Sequence, residues 1–154
     1  MKGITFPAWY GEHYVTLAEL LVRLGSFGLD LKWRVEFDEI VDPRCAEMER
    51  RSADGGMDTL TLLSLTTPFL QLIDAEALGF AGDGVMIALT EVDSSLWDVR
   101  AVDERVLGEL RRHYLGARES SAAPLAGRDH KSERATPTLP SKVNLAGETA
   151  SRAP

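Results

Sequence analysis

The stretch Phe6-Pro7-Ala8-Trp9-Tyr10-Gly11-Glu12-His13-Tyr14 gathers four of the chain's eleven aromatic residues beside an adjacent carboxylate and imidazole. Aromatic rings with a polar tip are what binding sites recruit, and a Glu next to a His can exchange a proton near neutral pH. Trp9, Tyr10, Glu12 and His13 are therefore the candidate small-ligand or acid–base group. The competing expectation is a loop whose rings cover a sheet while Glu12 and His13 stay in solvent. Sequence neighbours on a loop need not converge, which favours this second expectation.

Other chemistry-bearing residues are thinly spread. His113 follows Arg111 and Arg112 and fits a charge at a helix C-terminus better than a ligand. Cys45 is the sole cysteine, so no disulfide within the chain and no cysteine metal cluster can form, and no base lies near it in sequence. Asp38, Glu39 and Asp42 lack the Asp-X-Asp spacing and glycine loop of a calcium site and fit a solvated acidic turn. The phosphate-cradling GxxxxGK[ST] loop, the GxGxxG turn, the GxSxG elbow, HExxH and the EF-hand pattern are all missing from the sequence. The expectation is a chain without a cofactor or metal, and an enzyme is the weaker of the functional readings.

Charge narrows the partners. Residues 1–116 hold 11 Lys and Arg against 20 Asp and Glu, a net charge of −9, whereas residues 117–154 hold 6 against 4. A domain that acidic repels phosphate backbones, which weighs against nucleic acid. The same field would speed encounters with a basic protein. Asp30, Glu36 and Asp38 lie on a strand with one wet face and are the candidate contacts for such a partner, beside Trp9 and Tyr10. Size, charge and class are those of small immunity and accessory proteins, although no motif carries that analogy. Two further alternatives are a small-ligand or enzymatic domain using the Glu12-His13 loop, and a homo-oligomeric structural subunit.

The N-terminal residues lack the apolar core of a signal peptide, and no run approaches the length of a membrane span. Single-cysteine usage then points to a reducing cytoplasm. Arg outnumbers Lys 13 to 4, as GC-rich bacterial codons often produce.

These residues need a scaffold, and the chain supplies its signals in order. Thr16-Leu17-Ala18-Glu19 is a capping box, with Val15 and Leu20 placed as a hydrophobic staple, Leu17, Leu20, Leu21 and Leu24 as one stripe, and Gly25 as the stop. From Leu29 to Asp38 apolar and polar residues alternate without a fault, which predicts a strand in an antiparallel sheet. Asp42-Pro43 opens a helix through Cys45, Met48 and Arg51 whose thin stripe predicts an exposed position. Thr59 to Leu65 reads as a strand, although a Leu-rich run this short also fits a buried helix. Residues 67–80 fit either a helix over Phe69–Ala77 or a strand from Phe69 to Phe80.

Gly82-Asp83-Gly84 marks a turn before a strand over Val85–Val92, Asp93-Ser94-Ser95 turns the chain again, and Trp97, Val99 and Ala101 alternate with Asp98 and Arg100. Asp103 caps a last helix with stripe Val106, Leu107, Leu110 and Tyr114, and Gly116 ends it. The fold expected is α+β: a mostly antiparallel sheet of four to five strands with two or three helices on one face, in a single domain over residues 1–116. Residues 117–154 contain no aromatic residue and four of the seven prolines, too little to offset an ordering cost of about 1–2 kcal/mol per residue. They are expected to form a disordered tail.

Overall fold

A computed structural model describes residues 1–40 and 42–120. The tail expected over residues 117–154 lies outside the described residues from residue 121 onward. The architecture is α+β, as expected, with a seven-stranded, wholly antiparallel sheet. In chain order the elements are β1 Lys2–Pro7, β2 Trp9–Tyr10, β3 His13–Tyr14, α1 Leu17–Leu24, α2 Ser26–Leu29, β4 Lys32–Phe37 and α3 Pro43–Ala53. They continue with β5 Met57–Asp58, α4 Thr59–Thr66, β6 Ala75–Ala81, β7 Gly84–Val92, β8 Leu96–Ala101, α5 Glu104–His113 and β9 Arg118–Glu119. Spatial order in the sheet is β5-β4-β6-β7-β8-β1-β9, and β2 and β3 form a separate hairpin. Five of the strands are long, β1 among them although no strand was expected before Leu29, and β5 and β9 add two residues each at the edges.

Period two decides which face is covered. Ile4, Phe6, Trp33, Val35, Ala77, Ile87, Leu89, Trp97, Val99 and Ala101 are buried and join Leu17, Leu20, Leu21, Cys45, Met48, Leu62, Leu107 and Leu110 of the helices in one core. The opposite parity carries Lys32, Arg34 and Glu36, which are exposed. Trp33 fits because Gly79 stands across from it in the β4–β6 register. A Cβ at Gly79 would come within 2.7 Å of Ile87 and 3.1 Å of the Trp33 ring, so only glycine leaves room for the indole. The Trp33 indole N–H donates to Thr59 Oγ1 at 2.8 Å, whose hydroxyl donates to Gly28 O at 2.5 Å. That satisfies a buried polar group without water.

Four expectations are corrected. The alternating run yields a strand only over Lys32–Phe37, because Gly25 takes φ 53° and Ser26–Leu29 close a helical turn that leaves Leu29 exposed. The segment from Thr59 is a helix, since Asp58 caps it by accepting from the Thr61 N–H at 2.8 Å and from its hydroxyl at 2.9 Å, and Leu62 turns into the core. A local cap outweighs the β preference of a short Thr and Leu run. Residues 67–74 are neither helix nor strand, and the Thr67–Pro68 peptide is cis. α3 is not a wholly exposed helix: Cys45 and Met48 are fully buried, and Ser52 Oγ accepts the Val35 N–H at 2.7 Å, covering the part of the β4 edge that β5 leaves open.

The sheet also extends beyond Gly116. Ile4 and Thr5 pair with Glu119 and Arg118, and the Ser120 N–H donates to Gly3 O at 3.0 Å. Among the described residues no helix is long and apolar enough to cross a membrane.

Candidate functional site

The short hairpin β2–β3 divides the chemistry. Its pairs are Trp9 with Tyr14 and Tyr10 with His13, with Gly11 at φ 64° and Glu12 at the turn. Trp9 and Tyr14 meet the loops at one end of the sheet, and Tyr10 and His13 meet α1 and the end of α5.

On the first side the Trp9 indole N–H donates to Ser94 O at 2.8 Å, and its ring lies 5.1 Å from that of Tyr14, which lies 6.2 Å from that of Phe69. Tyr14 is buried, while Trp9 and Phe69 are 41% and 54% exposed. Phe69 is held by Arg44 of α3, whose guanidinium donates to Thr67 O at 3.0 Å and Phe69 O at 2.8 Å. Asp42 fixes Arg44 in turn at 2.9 Å, and those bonds hold the Asp42 carboxyl down at about 2.

The adjoining loops carry carboxylates. The Asp93 N–H donates to Asp74 Oδ1 and the Asp38 N–H donates to Asp74 O, at 3.0 and 2.9 Å. Asp74, Asp93 and Ser94 all take positive φ, near 50°. Beneath them Glu91 of β7 is 1% exposed. Its Oε2 accepts the Asp74 N–H at 3.0 Å, and its Oε1 has no partner among the described residues. Burial pushes the Glu91 carboxyl up to about 7 against the opposing pull of main-chain N–H groups at Ser94 and Asp74, and the charges of Asp74 and Asp93 push the same way as burial. Burial and the nearby Glu91 likewise raise the Tyr14 phenol, whose hydroxyl donates to Leu72 O at 3.3 Å.

On the second side Glu19 is the hub. Its N–H donates to Thr16 Oγ1 at 3.1 Å, completing half of the expected capping box. Its carboxylate does not return to Thr16 but turns outward: Oε2 lies 2.8 Å from His13 Nε2, Oε1 accepts from the Tyr114 hydroxyl at 2.9 Å, and His113 Nε2 stands 4.0 Å away. Burial, and then the bond to Glu19, raise the Tyr114 phenol. The Tyr10 hydroxyl donates to Leu115 O at 2.9 Å. Around this group opens a cleft of about 380 Å3 lined by Tyr10, His13, Glu19, Arg23, His113 and Tyr114, which adjoins one of about 340 Å3 that shares Arg23 and His113. A carboxylate that fixes one imidazole nitrogen leaves the other turned to a ligand as donor or acceptor, which is the geometry of a base and its orienting group.

The candidate residues thus separate. Trp9 and Asp38 lie at the same end of the sheet without touching, linked through Ser94, Asp93 and Asp74. Tyr10 and His13 share the cleft. Glu12 and His13 are both exposed, as the favoured loop expectation has it, and the carboxylate bonded to His13 is Glu19 rather than Glu12. Glu36 pairs with Glu76 in register on the open sheet face, two residues before Asp38. Asp30 follows α2 at the other end of β4, separated from Asp38 by that six-residue strand, which is about 20 Å long at the usual rise, and does not belong to the same surface.

Phe69, Asp74, Asp93 and Glu91 were not among the candidates. Glu91 carried a signal, since it continues the inward parity of Ile87 and Leu89 in β7. Phe69 and Asp74 carried none, because their placement depends on a loop that follows no periodicity. Among the described residues no three His, Cys, Asp or Glu side chains are grouped as a metal site. Comparison of the chain with protein-family models, with curated proteins and with solved structures finds no match in any of the three.

Proposed function

We propose that this is a small cytosolic protein-binding module that docks a basic protein on the surface formed by Trp9 and Phe69 within the rim of Asp38, Asp74 and Asp93. The observation that carries this reading is the pair of exposed rings fixed from below. The Trp9 indole is tied to Ser94 O, Arg44 holds the Phe69 carbonyl, and the Phe69 ring stands edge-on to the buried Tyr14 ring, so little of this surface needs to be ordered on binding. Rigid aromatic anchors inside a charged rim are the anatomy of a binding hot spot. The net charge of −9 over residues 1–116 selects a cationic partner and adds steering.

The test compares three full-length variants in capturing partners from an extract of the source cell. Trp9→Ala removes an anchor worth about 2 kcal/mol, a loss of roughly thirtyfold in affinity. Asp38→Lys weakens capture with a reduced dependence on salt. Asp30→Lys, at the far end of β4, leaves it unchanged. Equal capture by all three variants, or an acidic protein as the shared partner, defeats the reading.

A second reading rests on the His13–Glu19–Tyr114 chain: the cleft binds a small ligand whose polar group meets His13. It expects His13→Ala to abolish ligand binding with an unchanged unfolding midpoint, because His13 is exposed and outside the core. Retention of ligand binding by that variant removes this reading.

A further inference from the structure

The buried carboxyl of Glu91 serves neither the core nor the rim directly. It sits at an inward position of β7 opposite Trp97 of β8, in a row where Ile87 and Leu89 are apolar. An unsatisfied polar atom at 1% exposure calls for a physical reason. The groups that face it are one-sided. Asp74 of the preceding loop and Asp93 of the β7–β8 turn are like charges, Tyr14 of β3 is a neutral phenol, and among the described residues the opposing pull comes from the main-chain N–H groups of Ser94 and Asp74 rather than from a cation. What Glu91 does touch is structural: Oε2 receives the Asp74 N–H, Asp74 receives the Asp93 N–H, and the Ser94 main chain holds Trp9. The two loops that present the rings and the rim are thus joined directly, by the Asp93 N–H on Asp74 Oδ1 and by the Ser94 hydroxyl, which donates to Leu72 O at 3.0 Å, and they close over the Glu91 carboxyl that holds the Asp74 N–H from beneath.

We propose that Glu91 is a proton-operated latch of this surface: as the neutral acid it keeps residues 67–74 against the 93–95 turn, and as the anion it lets the two loops part to hydrate it. That the latch regulates docking rests on the docking reading, but the latch itself is measured without any partner. The direction follows from linkage. The carboxyl ordinarily ionises near 4.5 when open to water and is held up to about 7 when the loops are closed. The closed form thus binds the proton more tightly. The ratio of open to closed rises about tenfold per pH unit from about 5 to about 7 and levels off above that. The main-chain bonds to the anion oppose this, and burial with Asp74 and Asp93 outweighs them.

Hydrogen exchange on the full chain, wild type against Glu91→Gln, tests the latch. Glutamine keeps an acceptor for the Asp74 N–H and cannot ionise. The wild-type to variant ratio of exchange rates at the Trp9 indole, Asp74 and Asp93 N–H groups should climb about tenfold per pH unit over that window. In dilute denaturant these rates should stay flat, since a local opening exposes little surface. A ratio independent of pH overturns the latch. So does exchange that steepens with denaturant in parallel with the Val99 amide, because that is unfolding of the whole domain. If the variant fails to fold, carbon NMR of the wild-type Glu91 carboxyl decides: titration near 7 in step with the Trp9 indole signal supports the latch, and titration below 5, or without any change at Trp9, overturns it.

Discussion

The two sides of the β2–β3 hairpin start from the same four residues and reach opposite chemistries. Trp9 and Tyr14 lean on loops whose own charged residues are the carboxylates Asp74 and Asp93, with Asp38 beside them, Glu91 buried beneath, and the cation Arg44 of α3 already paired with Asp42. Tyr10 and His13 lean on helices that bring Arg23 and His113 and place one carboxylate in the cleft between them, Glu19, already engaged by His13 and Tyr114. Both sides hold an acid near a tyrosine, but the acids differ in their partners. Glu19 has donors on both oxygens and opens on a cleft, whereas Glu91 has one oxygen unpaired and lies beneath a surface. The acid with paired oxygens suits ligand recognition, and the unpaired one suits control of a surface by a proton.

The comparison depends on one floor under both sides. Trp97 is fully buried, lies opposite Glu91 across the ladder, and donates its indole N–H to Val15 O at 2.8 Å, just where the hairpin hands over to α1. Trp97→Ala is expected to cost about 3–5 kcal/mol through cavity formation and to disturb both sides together. Chemical denaturation measures the cost. A loss under 1 kcal/mol, or one side left with native tyrosine and histidine signals while the other melts, would mean that the two sides stand on separate supports.

A reciprocal pair of smaller deletions separates them. Tyr114→Phe removes a donor to the partly buried Glu19, and Tyr14→Phe removes the hydroxyl that bonds Leu72 from both directions at 3.3 Å. Each should cost about 1–2 kcal/mol, the usual value for a lost buried hydrogen bond. The sharper expectation is where each acts. Tyr114→Phe should shift the His13 imidazole signals and leave the Trp9 indole N–H in place, and Tyr14→Phe should do the reverse. Crossed effects in either variant would join the two sides into one site.

How much of this was legible in the sequence varies with the range of the signal. Alternation placed Trp33, Val35, Trp97 and Val99 on the inner face, and the caps at Thr16, Asp42 and Asp103 all accept the N–H groups expected of them. Those are signals within a few residues. Period two also put Glu91 inside, but an acid among apolar neighbours reads as an interruption until burial is known. Glu19 was read as the second half of a capping box because that is its nearest partner in sequence. His13 and Tyr114, 6 and 95 residues away, claim it in the fold. The surface around Phe69 was the least legible, since it depends on Arg44 reaching across from α3 to the carbonyls of an irregular loop, a contact with no local pattern to announce it. Caps and alternation are local, and sites are assembled from contacts that are not.

The smallest expected effect sharpens the comparison at its margin. After Tyr114 the chain runs past Leu115, whose carbonyl receives the Tyr10 hydroxyl, and into β9, where Glu119 and Arg118 pair with Ile4 and Thr5 and Ser120 Oγ donates to Asp98 Oδ2 at 2.5 Å. These bonds anchor the Tyr10 side and have no counterpart on the Trp9 side. A chain ended at Gly116 should therefore be less stable than one ended at Ser120 by about 1 kcal/mol, the net worth of one or two edge hydrogen bonds. The loss should appear in the unfolding midpoint and in faster exchange of the Gly3 and Thr5 amides, with the Trp9 indole N–H unaffected. Equal midpoints would place the end of the cooperative unit at Gly116, and the Tyr10 side would then owe its order to α1 and α5 without β9.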